Sequence, residues 1–257
     1  MNSPESYTHP LMQDFDATAA RRNREALLAA GAPYVYTAAD EQLLMAYENR
    51  DVRKFVAALQ AGASPDAEPL DGWGDTLASQ AVREGQAEFA EVLLDAGANP
   101  LLNEAEMVFE LCMHGPAPLL QRVIEQHQVP LGIQGGGDYM SMVDYAAAEG
   151  QIDCLKVLHA AGADMLAHNG RALCMACLHR QPEAVRYLVH ECNAPLEQEH
   201  DDRSPLLYAV QADAPECARI LLDAGANPHH PDMEGTALLQ WAKSDAMRQL
   251  LATYCPR

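Results

Sequence analysis

The sequence predicts an all-α chain, a solenoid of about six to seven stacked helix-turn-helix units, and three observations carry that prediction. The phrase Leu-Leu-Asp-Ala-Gly-Ala-Asn-Pro occurs at Leu93 to Pro100 and again, letter for letter, at Leu221 to Pro228. The two copies stand 128 residues apart, four intervals of 32. An Ala lies sixteen residues ahead of a glycine four times, at Ala46 and Gly62, Ala81 and Gly97, Ala146 and Gly162, and Ala209 and Gly225. Finally, 49% of the 257 residues are hydrophobic but only 6% are aromatic. That balance, rich in Ala and Leu, favours helices over a large sheet.

Each landmark has a physical reason. Small Ala lets paired helices approach closely, and the glycine after the second helix takes a left-handed conformation without a steric penalty. Neither helix pair can bury its apolar surface alone, so neighbouring units must stack.

Taken in order, residues 1–37 read as an N-terminal segment with a capping helix, Ala17 to Ala30, closed by Gly31 and Pro33. Residues 38–257 read as the solenoid. Looser copies of the loop phrase fall at Ala61 to Pro65, Ala161 to Asp164 and Cys192 to Pro195. Asn193 takes the glycine position in the last of these, as the best substitute for a left-handed residue. The unit from Glu104 to Val129 keeps Gly115 at its inter-helix turn but puts Leu111 in the alanine position and His127 in the glycine position, so distortion is expected there. The unit from Arg171 to Ala194 carries one extra residue, at Cys192. Thr236 to Tyr254 reads as a degenerate terminal cap, split near Ser244 and Asp245, with Lys243 and Arg248 facing water and Trp241 in the core.

Ser204-Pro205-Leu206-Leu207-Tyr208-Ala209 is similar to the opening of the first helix in the ankyrin repeat, and Gly74-Asp75-Thr76-Leu77-Ala78-Ser79-Gln80-Ala81 is a second, degenerate match. The resemblance covers roughly Ala38 to Ala252, although no unit carries the complete Thr-Pro-Leu-His motif. It implies a concave groove, lined by loop tips and by the ends of the first helices, that grips a partner protein. The loop-tip positions so implied are Gly72, Trp73 and Asp75, then Asp138 and Met140, then His200, Asp201 and Arg203, and finally Met233 and Glu234. The helix-end positions are Arg83, Glu84, Met113, His114, Glu149 and His179. Trp73 stands out, because tryptophan is the residue most enriched in interface hot spots.

Charge narrows the partner. Asp and Glu number 37 against 17 Lys and Arg, a formal net charge of −20, which repels phosphate backbones and anionic membrane surfaces. A basic protein is the expected partner of a chain that is a monomer alone, and nucleic acid and membrane are not. The seven cysteines follow helix faces rather than a disulfide framework, which fits reduced thiols in the cytoplasm.

Three constellations point to a rival reading as an enzyme or a metal- or ligand-binding protein. Cys174-Met175-Ala176-Cys177 stands alone, and Cys177 occupies a small-residue slot. His229-His230, with His200 one repeat earlier, could approach a metal, yet no i, i+4 histidine pair supports it. Gln134-Gly135-Gly136-Gly137-Asp138 lacks the Lys-Ser/Thr of a phosphate loop. The expectation is therefore a non-enzymatic binding protein with no cofactor and no metal.

Overall fold

The computed structural model describes residues 9–12, 36–69, 75–135, 139–229 and 236–254. The expected capping helix, Ala17 to Ala30, lies outside them. The chain divides into two compact units between Leu111 and Cys112.

In the first unit, helix α1 (Ala38–Glu48) packs on α2 (Val52–Gln60), and α3 (Leu77–Arg83) packs on α4 (Ala87–Asp95). The second helices α2 and α4 also meet. Thr37 opens α1 with a reciprocal cap: its Oγ1 accepts from the Asp40 backbone N–H at 3.2 Å, while Asp40 Oδ2 accepts from the Thr37 N–H at 2.8 Å. The other carboxylate oxygen of Asp40 accepts from the Ser64 N–H at 2.7 Å, so this buried acid ties the start of α1 to the loop that follows α2. An aromatic trio fills the core. Phe89 meets the ring edges of Phe55 at 4.9 Å and of Tyr47 at 5.2 Å between centroids, the T-shaped arrangement that ring quadrupoles favour. A short turn, Pro10–Met12, rests against α2 and α4 and buries Met12, and the His9 N–H donates to the Asp95 carboxylate.

Helix α5 (Leu102–His114) begins with a left-handed turn, with φ of 50, 59 and 64° at Asn103, Glu104 and Ala105. In the second unit follow α6 (Ala117–His127), α7 (Met142–Ala148), α8 (Ile152–Ala161), α9 (Ala167–Leu178), α10 (Pro182–His190), α11 (Pro205–Gln211), α12 (Pro215–Asp223), α13 (Leu238–Trp241) and α14 (Asp245–Tyr254). First helices α7, α9, α11 and α13 form one row, and second helices α6, α8, α10, α12 and α14 form another. Helix α9 also opens through a left-handed turn, at His168, Asn169 and Gly170.

The only strands among the described residues are the two-residue pair Gln134–Gly135 and Met140–Ser141, antiparallel, with a single bridge between His200 and Arg203. This is the helix-pair stack with hairpin-like loops that the sequence predicts. Ala46, Ala81, Ala146 and Ala209 are all buried, and Gly97 and Gly225 have φ of 93 and 103°. Asn193 is left-handed as expected, at φ 54°.

Two expectations need correction. In the distorted unit the left-handed residue is Gln128, φ 51°, not His127, because α6 continues one residue further before it is capped. Trp241 is 39% exposed rather than core, since α13 has only four residues and Leu238 takes its buried position. The cap otherwise has the predicted break between its helices, with Lys243 and Arg248 exposed.

Candidate functional site

The helix-end positions are set by where each first helix stops. Glu84, Glu149 and His179 are the C-cap residues of α3, α7 and α9, and His114 is the last residue of α5. All four are exposed. A helix C-terminus carries partial negative charge and favours cations by about 0.3–1 kcal/mol, so a carboxylate at this place works slightly against its own helix. Glu84 and Glu149 therefore contribute little to helix stability, and each adds negative potential at the first-helix ends of its own unit.

In the first unit the site residues are knitted together. Arg83 donates from Nη2 to Asp75 at 2.5 Å and from Nε to Glu110 at 2.7 Å, with Glu106 at 3.3 Å. Burial alone would lower the guanidinium's pKa, but the hydrogen bonds to Asp75 and Glu110 and their charges outweigh it and hold the group firmly protonated. The Glu106 carboxyl is pushed up by burial first and by the Asp75 charge next. One cation thus faces three carboxylates. Beside this cluster Glu84 accepts from the Tyr47 hydroxyl at 3.0 Å and from Gln80 Nε2 at 2.6 Å. Burial, then the Glu84 contact, raises the Tyr47 phenol, which stays a donor.

In the second unit the residues stand apart. Met140 is half-buried in its two-residue strand, and Glu149 and His179 project singly. At the remaining loop tip His200 and Arg203 exchange backbone hydrogen bonds at 3.0 and 3.1 Å, the His200 ring lies 3.6 Å from the exposed Asp201, and the Arg203 guanidinium sits 5.7 Å over the Tyr208 ring. Gly72, Trp73, Asp138, Met233 and Glu234 lie outside the described residues.

Sequence reasoning missed Glu106, Glu110, Tyr47 and Gln80. The signal for the first two was present, because acids four apart on α5 must share a helix face.

Of the rival reading's residues, Gly136, Gly137, Asp138 and His230 lie outside the described residues, and the two thiols are packed in the core. Cys174 and Cys177 are fully buried, and burial pushes the Cys174 thiol up to about 12 and Cys177 well above the ordinary range. Reactive and metal-binding cysteines need the opposite shift. Among the described residues no group of three His, Cys, Asp or Glu side chains is placed to hold a metal ion. None of the described helices is long and apolar enough to cross a membrane.

Residues 143–232 match the family model for ankyrin repeats in three copies. That segment carries ankyrin repeats. The fold agrees well beyond the matched segment. The human ASB11 ankyrin repeat domain is similar at a TM-score of 0.70 and 19% identity, covering 86% of this chain and 99% of that one. The ankyrin repeat domain of Bcl-3, described as a unique member of the IkappaB protein family, is similar at 0.60 and 17%, covering 82% of this chain and 97% of that one. No curated protein matches the sequence. Glu84, Glu149 and His179 at the ends of first helices and Asp201 to Arg203 at a loop tip are open to solvent, while the His200 side chain is largely buried.

Proposed function

We propose that this chain holds a basic protein against the face formed by its loop tips and first-helix ends, as an adaptor or inhibitor, in the manner of an antidote that occludes a basic toxin or effector in the cytoplasm. Ankyrin repeats are protein-interaction modules, and this chain carries them. The observation that carries the finer reading is the pairing of a net charge of −20 with carboxylates at helix C-caps, where helix electrostatics disfavour them. A preformed face also loses little ordering entropy on binding. Buried, protonated thiols at Cys112, Cys154, Cys174, Cys177 and Cys217 are compatible with a reducing compartment.

The test is kinetic. A partner captured from the native host, once purified, should associate more slowly as salt rises from 0.1 M to 1 M, over which the Debye length contracts from ~10 to ~3 Å. Joint replacement Glu84→Gln, Glu149→Gln and Asp201→Asn should lower the on-rate several-fold and change the off-rate less. A salt-insensitive on-rate that the triple variant leaves unaltered would sink the reading.

A further inference from the structure

A pocket of about 320 Å³ opens in the first unit where α1 and α3 approach, at the lower end of the ~300–1,000 Å³ range of small-molecule sites. Its walls are of two kinds. Leu44, Leu77 and Pro69 supply an apolar side. Glu48, Glu84 and Gln80 supply acceptors. Glu84 is held in place by Tyr47 and Gln80, which each give it a hydrogen bond and leave its remaining lone pairs open. With its amide nitrogen committed to Glu84, Gln80 at the pocket wall keeps an oxygen that is shielded from solvent and has no hydrogen-bond partner among the described residues. A buried acceptor left without a partner is destabilising, a burden that a donor reaching it through the pocket would remove.

The wall also holds one cation, Arg50. With the amide oxygen of Gln86 turned toward it, that guanidinium donates from Nε and Nη2 at 3.2 and 3.1 Å and is already engaged. The free capacity of the pocket is therefore acidic and hydrogen-bond accepting.

We propose that this pocket receives an arginine side chain of the partner protein. Its methylene stem lies along Leu44, Leu77 and Pro69, and its guanidinium donates to the Glu84 carboxylate and to Gln80 Oε1, with Glu48 adding negative potential. A planar fork of five donors suits acceptors on separate side chains better than a single ammonium does. This deepens, and rests on, the reading of the chain as a binder of basic proteins.

The experiment uses the full chain and two probes. In isotope-labelled protein, N-acetyl-arginine methylamide should shift the Gln80 side-chain amide and the Tyr47 ring resonances saturably, and the neutral citrulline analogue should bind about fivefold more weakly or worse. Fluorescein-labelled hexaarginine, followed by anisotropy, should lose about fivefold in affinity on Glu84→Gln. It should lose far less on Glu183→Gln, which removes the same charge from an exposed position on α10. Gln80→Met removes the unpartnered acceptor together with the exposed hydrogen bond to Glu84, two effects that oppose each other in stability, so it should weaken hexaarginine with little change in melting temperature, whereas a purely structural role would lower the melting temperature and spare binding. Equal shifts from citrulline, or equal losses from Glu183→Gln and Glu84→Gln, would overturn the pocket while leaving the acidic face standing. Absence of hexaarginine binding would instead strike the acidic-face reading, and the single-arginine titration would still decide the pocket.

Discussion

The two units fill the same repeat with different chemistry. All four phenylalanines of the chain fall before residue 112, and all seven cysteines fall from Cys112 onward. Eight residues ahead of the loop glycine, Phe89 stands before Gly97 in the first unit, while Cys154 and Cys217 stand before Gly162 and Gly225 in the second. All three side chains are buried. The helix pair is therefore a backbone template whose interior tolerates a large ring or a small thiol, provided the neighbouring residues close around it. Charge divides the same way, since the first unit gathers Asp75, Arg83, Glu106 and Glu110 into one cluster while the second leaves Glu149 and His179 exposed and apart.

The largest test of that contrast is Phe89→Ala. Removing the ring that both Tyr47 and Phe55 pack against should cost about 3–5 kcal/mol in denaturant unfolding. A loss under about 1 kcal/mol would mean that the trio is not the heart of its unit.

The converse substitution, Cys217→Phe, asks whether the thiol slot is closed to a ring. Overpacking should destabilise by about 1–3 kcal/mol, read by the same unfolding experiment. A variant as stable as the parent would show that the second unit keeps spare volume there.

Charge comes next. Arg83→Met leaves the buried Glu110 and the largely buried Asp75 without their cation and should cost about 1–2 kcal/mol, reduced from the fully buried case because the guanidinium is 40% exposed. Arg203→Met, at a loop tip of the second unit, should stay within about 0.5 kcal/mol. Similar losses from the two would erase the distinction between a knitted and a scattered face.

The smallest expected effect concerns Glu106. Its raised carboxyl binds a proton more tightly in the folded chain than in the unfolded one, so its ionisation weakens the fold at neutral pH. That penalty disappears as pH falls through the folded-state titration. Glu106→Gln should therefore raise the melting temperature slightly at pH 7, with the gap from the parent closing as the medium is acidified. A variant less stable at pH 7 would show that the Arg83 contact outweighs burial.

The backbone register was legible in the sequence because it depends on short-range geometry. A residue that must be left-handed is announced by Gly97, Gly225 or Asn193, and a close helix crossing by Ala81 or Ala209. Even so, the one-residue slip from His127 to Gln128 was hidden, since neither residue type marks a helix end strongly. The left-handed turn that opens α5 was hidden too, because Asn103 to Ala105 contains no glycine, whereas the one that opens α9 is marked by Asn169 and Gly170. The candidate site was less legible than the fold. The repeat assigns Arg83 and Glu84 to an open position, but which partners they meet depends on side chains from other helices, and only the fold brings Tyr47 and Glu110 to them.

The separation of rings from thiols also gives the chain an internal clock. Cys112, Cys154, Cys174, Cys177 and Cys217 are covered in the folded second unit and held protonated by burial, so a thiol reagent reaches them chiefly when that unit opens. The first unit, with no cysteine at all, is silent to the same reagent. Labelling of these sites against time therefore reports breathing of one half of the molecule without any engineered probe, and a bound partner that slows it would reveal which half it steadies.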